Sequence, residues 1–228
     1  MNIFPIADYT MSSTVDWPGN LSAVIWTQGC PNYCPYCHNP SLIPIGKPGK
    51  AEEEKLASFF VELEKRKGFL DSVVITGGEP LLAHNLMGVM QKIKGMGFKV
   101  GLHTSGLNYV NTMTEILNKP LVDWIGLDYK APTYKYTEYS QLCVPYDILN
   151  IISSNISNFE VRTTYHSELL SVSDLGFIAR ALRGKTNLWV IQNCSGDHGD
   201  LKEADHVLLT QNQVSILEDI LDGEIIIR

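Results

Sequence analysis

Residues 21–40 read LSAVIWTQGCPNYCPYCHNP. The first seven are mostly apolar, with β-branched Val24, Ile25 and Thr27, and they predict a short buried strand. Gln28 and Gly29 end it, and three cysteines follow within eight residues: Cys30, Cys34 and Cys37. Sheets of parallel strands bind ligands at the carboxyl ends of their strands, which is where this cluster falls. The spacing C-x3-C-x2-C offers three thiolates where an iron–sulfur cluster usually takes four. A cluster held by three keeps one iron open to a small molecule, so the site can be catalytic rather than structural.

Outward from this stretch, helix-like and strand-like segments alternate. Residues 52–67 place Leu56, Phe59, Phe60 and Leu63 on one helical face, and residues 72–76 (SVVIT) form a second apolar strand ended by Gly77-Gly78. The pattern continues with a helix over 82–94, a strand over 98–103, a helix over 109–117 and a strand over 124–128. A helix near 146–154, a strand over 159–164, a helix over 174–183 and a strand over 188–192 follow. Residues 211–221 close as a helix, with a possible short strand at 224–227. Strands alternating with helices imply parallel βαβ units. An open doubly wound sheet and an incomplete β/α barrel both fit the six main strands. Polar groups gather at their carboxyl ends: Cys30, Glu79, His103 with Thr104, Asp128 with Lys130, and Gln192; Arg162 lies within the fifth.

The chain of 228 residues fits one domain over 1–228, with a core at about 15–195 and the helix over 211–221 beyond it. A net charge of −7 argues against a nucleic-acid binder. No signal peptide is read at the N-terminus, and no apolar run approaches the roughly 18 residues of a membrane span. Five cysteines, three of them clustered, make a poor disulfide framework and point to a reducing cytoplasm. Three prolines and two glycines in residues 40–50 (PSLIPIGKPGK) predict a loop excursion.

Cys30, Cys34, Cys37 and His38 could instead supply a structural zinc tetrad, although the adjacent Cys37 and His38 side chains point apart. Cys143 and Cys194 are isolated and read as buried apolar thiols. The wider pattern resembles the radical S-adenosylmethionine superfamily: Tyr36 precedes the last cysteine, and Gly77-Gly78-Glu79-Pro80 is similar to its GGEP motif about forty residues on. Val15-Asp16-Trp17-Pro18-Gly19, Thr27-Gln28-Gly29-Cys30 and the run from Cys34 to Pro40 resemble the glycyl-radical-enzyme activating family. Within it, the activators of anaerobic ribonucleoside-triphosphate reductase are the most similar. Asp128-Tyr129-Lys130 is similar to the family's D-x-K, and Glu160-Val161-Arg162-Thr163-Thr164 extends the likeness.

The resemblance implies an incomplete (β/α)6 barrel and one 4Fe–4S cluster per chain on Cys30, Cys34 and Cys37. S-adenosylmethionine would chelate the open iron, be cleaved reductively, and yield a 5′-deoxyadenosyl radical that removes a glycine Cα hydrogen from a partner protein. The implied partner is anaerobic ribonucleoside-triphosphate reductase, with a flavodoxin or ferredoxin as electron donor. A pyruvate formate-lyase-type partner or a small-molecule substrate is the alternative.

The resemblance also assigns roles. Tyr36 and His38 would contact the nucleoside, and Gly77, Gly78 and Glu79 the methionine amino group. Lys130 and Arg162, beside Asp128, would meet the methionine carboxylate or ribose. Thr104, Ser105 and Gln192 would serve hydroxyls or adenine, and Asp16 would seat the partner's glycine loop. Each of the charged residues has a plainer reading: Glu79 as a helix cap, Lys130 and Arg162 as surface cations. His84, His166, His198 and His206 sit in no motif, and Tyr134, Tyr136 and Tyr139 read as a partner surface or as loop packing. One departure stands out: family members that bind a monovalent cation near the site end the third strand in Asp-Thr, whereas this chain has His103-Thr104. Neutral imidazole is a poor ligand for a hard cation.

Overall fold

The run 22–27 forms a strand because every side chain in it can be buried, and the strands beside it share that property. The computed structural model describes residues 3–106, 109–138, 146–186, 188–194, 196–197, 201–202 and 205–228. Cys143, Tyr139 and His198 lie outside the described residues. The chain divides into two compact units. The first comprises Met1–Pro31, Asn39–Thr104 and Tyr109–Ile125; the second comprises Asn32–His38, Ser105–Asn108 and Gly126–Arg228.

In the first unit the strands are β1 (Ile6–Ser13), β2 (Ser22–Thr27), β3 (Ser72–Gly77) and β4 (Lys99–Thr104), ordered as in the chain. β2 and β3 run parallel and in register from Ser22 opposite Ser72 to Thr27 opposite Gly77, and β4 continues parallel to β3. Ala23, Val24 and Ile25 and their partners Val73, Val74 and Ile75 are fully buried. Helices α1 (Lys50–Glu64) and α2 (Leu86–Gly95) cover the sheet with Phe59, Phe60 and Leu63 and with Val89, Met90 and Ile93. Helix α3 (Val110–Asn118) follows, and the chain passes to the second unit within β5 (Trp124–Asp128).

The second unit holds α4 (Tyr146–Asn155), β6 (Phe159–Tyr165), α5 (Val172–Leu182), β7 (Leu188–Asn193), α6 (Gln211–Leu221) and β8 (Glu224–Ile227). β6, β7 and β8 are parallel neighbours, with Val161 opposite Trp189 and Leu188 opposite Glu224. Ser171 and Asp174 form a reciprocal cap on α5, which starts the helix two residues before its expected start at 174. Thr210 and Gln213 cap α6 in the same way.

Two differences from the expected elements have clear causes. β1 is not predicted from the sequence because it is an antiparallel partner of β2 in which Ile6 and Met11 are buried and the other six residues, mostly polar, are exposed or half-buried. The helix expected over 82–94 begins only at Leu86. Pro80–Leu82 is a 3-10 turn, and Asn85 adopts a left-handed conformation (φ 59°) that breaks the path between them. Residues 40–50 form the expected loop, mostly exposed and irregular, with a 3-10 turn at Pro40–Leu42 whose end bonds back to the loop carrying Cys30. Among the described residues no helix is long and apolar enough to cross a membrane.

Candidate functional site

The loop after β2 is held from both sides. Gly29 N–H donates to Leu42 C=O at 2.8 Å and Cys30 N–H to Ile43 C=O at 3.1 Å. The Gln28 amide adds bonds to the carbonyls of Ser41 and Pro44. From the other side, Gly78 N–H donates to Thr27 C=O and Glu79 N–H to Gly29 C=O, both at 2.8 Å. This approach needs the glycine pair. Gly77 sits at φ +119°, and a Cβ there would stand 2.2 Å from Thr27 N; a Cβ on Gly78 would stand 2.2 Å from Gly29 O. Any side chain would therefore displace the backbone leading into Cys30.

Glu79 is 2% exposed. One carboxylate oxygen accepts from Leu81 N–H at 3.0 Å and from the Thr104 hydroxyl at 2.6 Å. The capping expected as a plainer reading is real, on the 3-10 turn rather than on a helix, and Thr104 at the end of β4 joins it. Burial pushes the Tyr109 hydroxyl pKa up, and the nearby charges of Glu79 and Cys30 push it further. No local motif announced that influence on Tyr109. Also in this unit, His103 Nε2–H donates to the Asp16 main-chain carbonyl at 2.7 Å, so this nitrogen presents a proton rather than a lone pair.

In the second unit, Cys37 N–H donates to Cys34 C=O at 3.1 Å, closing a tight turn that carries two of the thiols. Asn32 is 4% exposed; its amide donates to the Ser105 hydroxyl at 3.1 Å, and its Oδ1 is buried with no hydrogen-bond partner among the described residues. Tyr36 is buried and His38 exposed. The Tyr33 hydroxyl donates to Thr137 C=O, tying the cysteine loop to the 3-10 turn at Thr133–Glu138.

The charged group of this unit centres on Asp128. Arg162 reaches one carboxylate oxygen through Nη2 at 2.8 Å and Nε at 3.0 Å, and Lys130 Nζ lies 3.4 Å from the other. Lys130 and Arg162 are 9% and 8% exposed, which rules out the surface-cation reading. Burial works against the Lys130 charge, but the Cys34 sulfur and Asp128 outweigh it and hold its pKa well above the ordinary lysine value. Burial pushes the Cys34 thiol up, and Lys130 pulls it back. The backbone here is fixed by buried bonds: Lys130 N–H to the Tyr136 hydroxyl, Thr163 hydroxyl to Tyr129 C=O, and Trp189 Nε1–H to the Thr163 hydroxyl.

The remaining expected residues fall out as follows. Gln192 lies half-buried in β7 opposite Thr164. Cys194 is buried, His84 is exposed, and His166 and His206 stack on each other and bond to neighbouring backbone and Asn193. Tyr136 packs inside, whereas Tyr134 is exposed and bonds through its hydroxyl to Asp174.

None of Cys30, Cys34 and Cys37 is in a disulfide. Among the described residues no three His, Cys, Asp or Glu side chains are grouped to hold a single metal ion.

Residues 24–160, more than half of the chain, match the family model described as the Radical SAM superfamily. A Methanocaldococcus jannaschii protein provisionally named a glycyl-radical enzyme activating enzyme is 31% identical over 189 residues, covering 79% of this chain and 75% of its own. The pyruvate formate-lyase-activating enzyme of Staphylococcus aureus is 36% identical over 95 residues, 40% of this chain; the match spans only 36% of that enzyme's length. The structure of QueE from Escherichia coli superposes with a TM-score of 0.58 at 14% identity, covering 99% of this chain and 93% of QueE, a likeness of fold alone.

Proposed function

The chain belongs to the radical SAM superfamily, among the relatives of glycyl-radical-enzyme activating enzymes, and from that premise we propose that it installs the glycyl radical of an anaerobic ribonucleoside-triphosphate reductase. Enzymes of this superfamily use a 4Fe–4S cluster with three cysteine ligands together with S-adenosylmethionine, and Cys30, Cys34 and Cys37 supply the three thiols. Held by Cys30, Cys34 and Cys37, the cluster would supply the one-electron reduction that splits S-adenosylmethionine into methionine and a radical able to take a Cα hydrogen from glycine.

The observation that carries this reading is the glycine clamp between Glu79 and the Cys30 loop. It sets a buried carboxylate, oriented by Thr104, one hydrogen bond from the backbone next to a cluster ligand. A buried carboxylate is a strong acceptor for an ammonium, which is what the methionine end of S-adenosylmethionine brings. Gly77 and Gly78 let the backbone that carries this carboxylate lie against the Cys30 loop. The buried cations Lys130 and Arg162 outnumber the single carboxylate of Asp128, which suits them to an anionic ligand, the cluster with its thiolates or the methionine carboxylate. Asn32 Oδ1, a buried acceptor in the cysteine loop, fits a ligand that brings N–H or O–H donors. Tyr36, His38, Ser105 and Gln192 complete the nucleoside side in this reading, and Asp16 seats the partner's glycine loop.

The run from Thr27 to Pro40 favours the reductase as partner. The likeness to a pyruvate formate-lyase-activating enzyme supports a lyase-type partner as the second reading. In either case a flavodoxin or ferredoxin delivers the electron, and three cysteines outside any disulfide suit the reducing cytoplasm. The test is anaerobic mixing of the reduced protein and S-adenosylmethionine with each candidate partner, followed by electron paramagnetic resonance. A glycine-centred doublet on the reductase supports the proposal, one on the lyase alone supports the second reading, and none on either overturns both.

A further inference from the structure

Strand β4 receives the segment Asp16-Trp17 with two residues of one face. Gly101 and His103 are two apart, so in a strand they project to the same side. A Cβ on Gly101 would stand 3.0 Å from Trp17 Cε3 and 3.4 Å from Trp124 Cε3. Glycine at this point is a notch that admits the Trp17 indole. Trp17 is 4% exposed and stacks on Trp124, ring centroids 5.5 Å apart and planes 16° from parallel. One step further along β4, His103 sets its ring edge against Trp124 and donates Nε2–H to the Asp16 carbonyl at 2.7 Å. Asn20 N–H then closes the turn onto Trp17 C=O at 3.0 Å.

This anchoring acts on the backbone of Asp16 and leaves its carboxylate to point elsewhere. The carboxylate takes the Ser13 hydroxyl on Oδ2 and is half-buried, while Val15 beside it is 80% exposed. A loop fixed at its base and displaying a bare apolar side chain next to a carboxylate is arranged to meet another surface. Glycine has no side chain, so a glycine-bearing loop must be recognised through main-chain groups, and a carboxylate is a strong acceptor for main-chain N–H.

We propose that His103 is a positioning residue for partner docking: its Nε2–H holds the Asp16 carbonyl, which fixes residues 13–19 so that Val15 and the Asp16 carboxylate meet the partner's glycine-bearing loop. This rests on the activating role proposed above. Nε2–H is present in the neutral tautomer and in the imidazolium alike, so the hold does not depend on the charge of the ring. Glutamine can offer an amide N–H at similar reach, whereas leucine fills the space without a donor.

The test compares wild type, His103→Leu and His103→Gln as reconstituted holoproteins. Three quantities are read: amide hydrogen exchange over residues 13–19, the KM for the partner in glycyl-radical formation, and S-adenosylmethionine cleavage without partner. His103→Leu should speed exchange in the loop and raise the partner KM about tenfold, the loss of one part-buried hydrogen bond. Cleavage without partner should stay within about twofold, and His103→Gln should restore both other readouts. Unchanged loop exchange or an unchanged partner KM in His103→Leu would overturn the proposal. So would an equal loss of partner-free cleavage that glutamine does not rescue, which would place His103 in cofactor chemistry. If wild type forms no glycyl radical on either partner, the activating role falls and the docking role with it. Loop exchange would still report whether His103 holds Asp16.

Discussion

Thr104 donates its hydroxyl to Glu79 at 2.6 Å, and the two residues lie 25 positions apart at the ends of neighbouring parallel strands. The bond orients a buried carboxylate whose same oxygen also caps Leu81. Replacing Glu79 with Gln keeps the shape and the cap but removes the charge. S-adenosylmethionine affinity should fall about 10- to 100-fold, the range for a hydrogen bond to a charged group. Thr104→Val should cost less, about fivefold, because the carboxylate remains. Calorimetric titration of the reconstituted protein checks both. Equal affinity in Glu79→Gln would mean that the carboxylate serves only the turn.

Gly78→Ala tests the clamp on the Cys30 loop. The new Cβ would lie 2.2 Å from Gly29 O, a contact against backbone that no rotamer can relieve. The loop must shift, so iron content per chain and visible cluster absorbance after reconstitution should fall by at least half. Stability should drop by about 1–3 kcal/mol, as for other overpacked sites. Full cluster loading would show that the Cys30 loop tolerates the displacement.

Asp128→Asn leaves the buried Lys130 and Arg162 without the carboxylate they share. The Asp128 side chain is 33% exposed, so the loss should be about 2 kcal/mol, below the range for a fully buried pair. Urea denaturation measures it. Asp128→Asn at wild-type stability would mean that the two cations hold each other apart without help.

Acid should loosen the fastening between the turn at Thr133–Glu138 and α5. Burial opposes ionisation of Asp174, yet bonds from Tyr134, Ser171 and Lys135 outweigh it and lower its pKa from 3.8 to about 2. A carboxyl whose pKa is depressed by folding stabilises the fold above its unfolded pKa and loses that contribution as pH falls through the folded one. The stability difference between wild type and Asp174→Asn should therefore be full above pH of about 4 and shrink toward pH of about 2. A difference that stays constant across that window would show that the carboxyl pKa is not lowered by folding.

The legible parts of this molecule were those written in one stretch of chain. The cysteine loop, the glycine pair with Glu79, and the buried strands at 22–27 and 72–77 each announce themselves within a few residues, since buried parallel strands are uniformly apolar. What could not be read depends on distant partners. β1 is half polar and becomes a strand only by pairing with β2. Asp128 and Arg162 are 34 residues apart, and His103 and Asp16 are 87 apart. His103 read as a poor cation ligand because its true partner, a main-chain carbonyl, has no signature in sequence. Nor does the glycine pair announce that it lets β3 approach the backbone before Cys30, since Thr27 and Gly29 lie about fifty residues away.

The most direct measurement is electron paramagnetic resonance on the dithionite-reduced or flavodoxin-reduced protein mixed with S-adenosylmethionine and an anaerobic ribonucleoside-triphosphate reductase. The account predicts a glycine-centred doublet on the reductase, formed with 5′-deoxyadenosine and lost when Cys34 is replaced by Ala. S-adenosylmethionine cleavage with no doublet on that partner would contradict it.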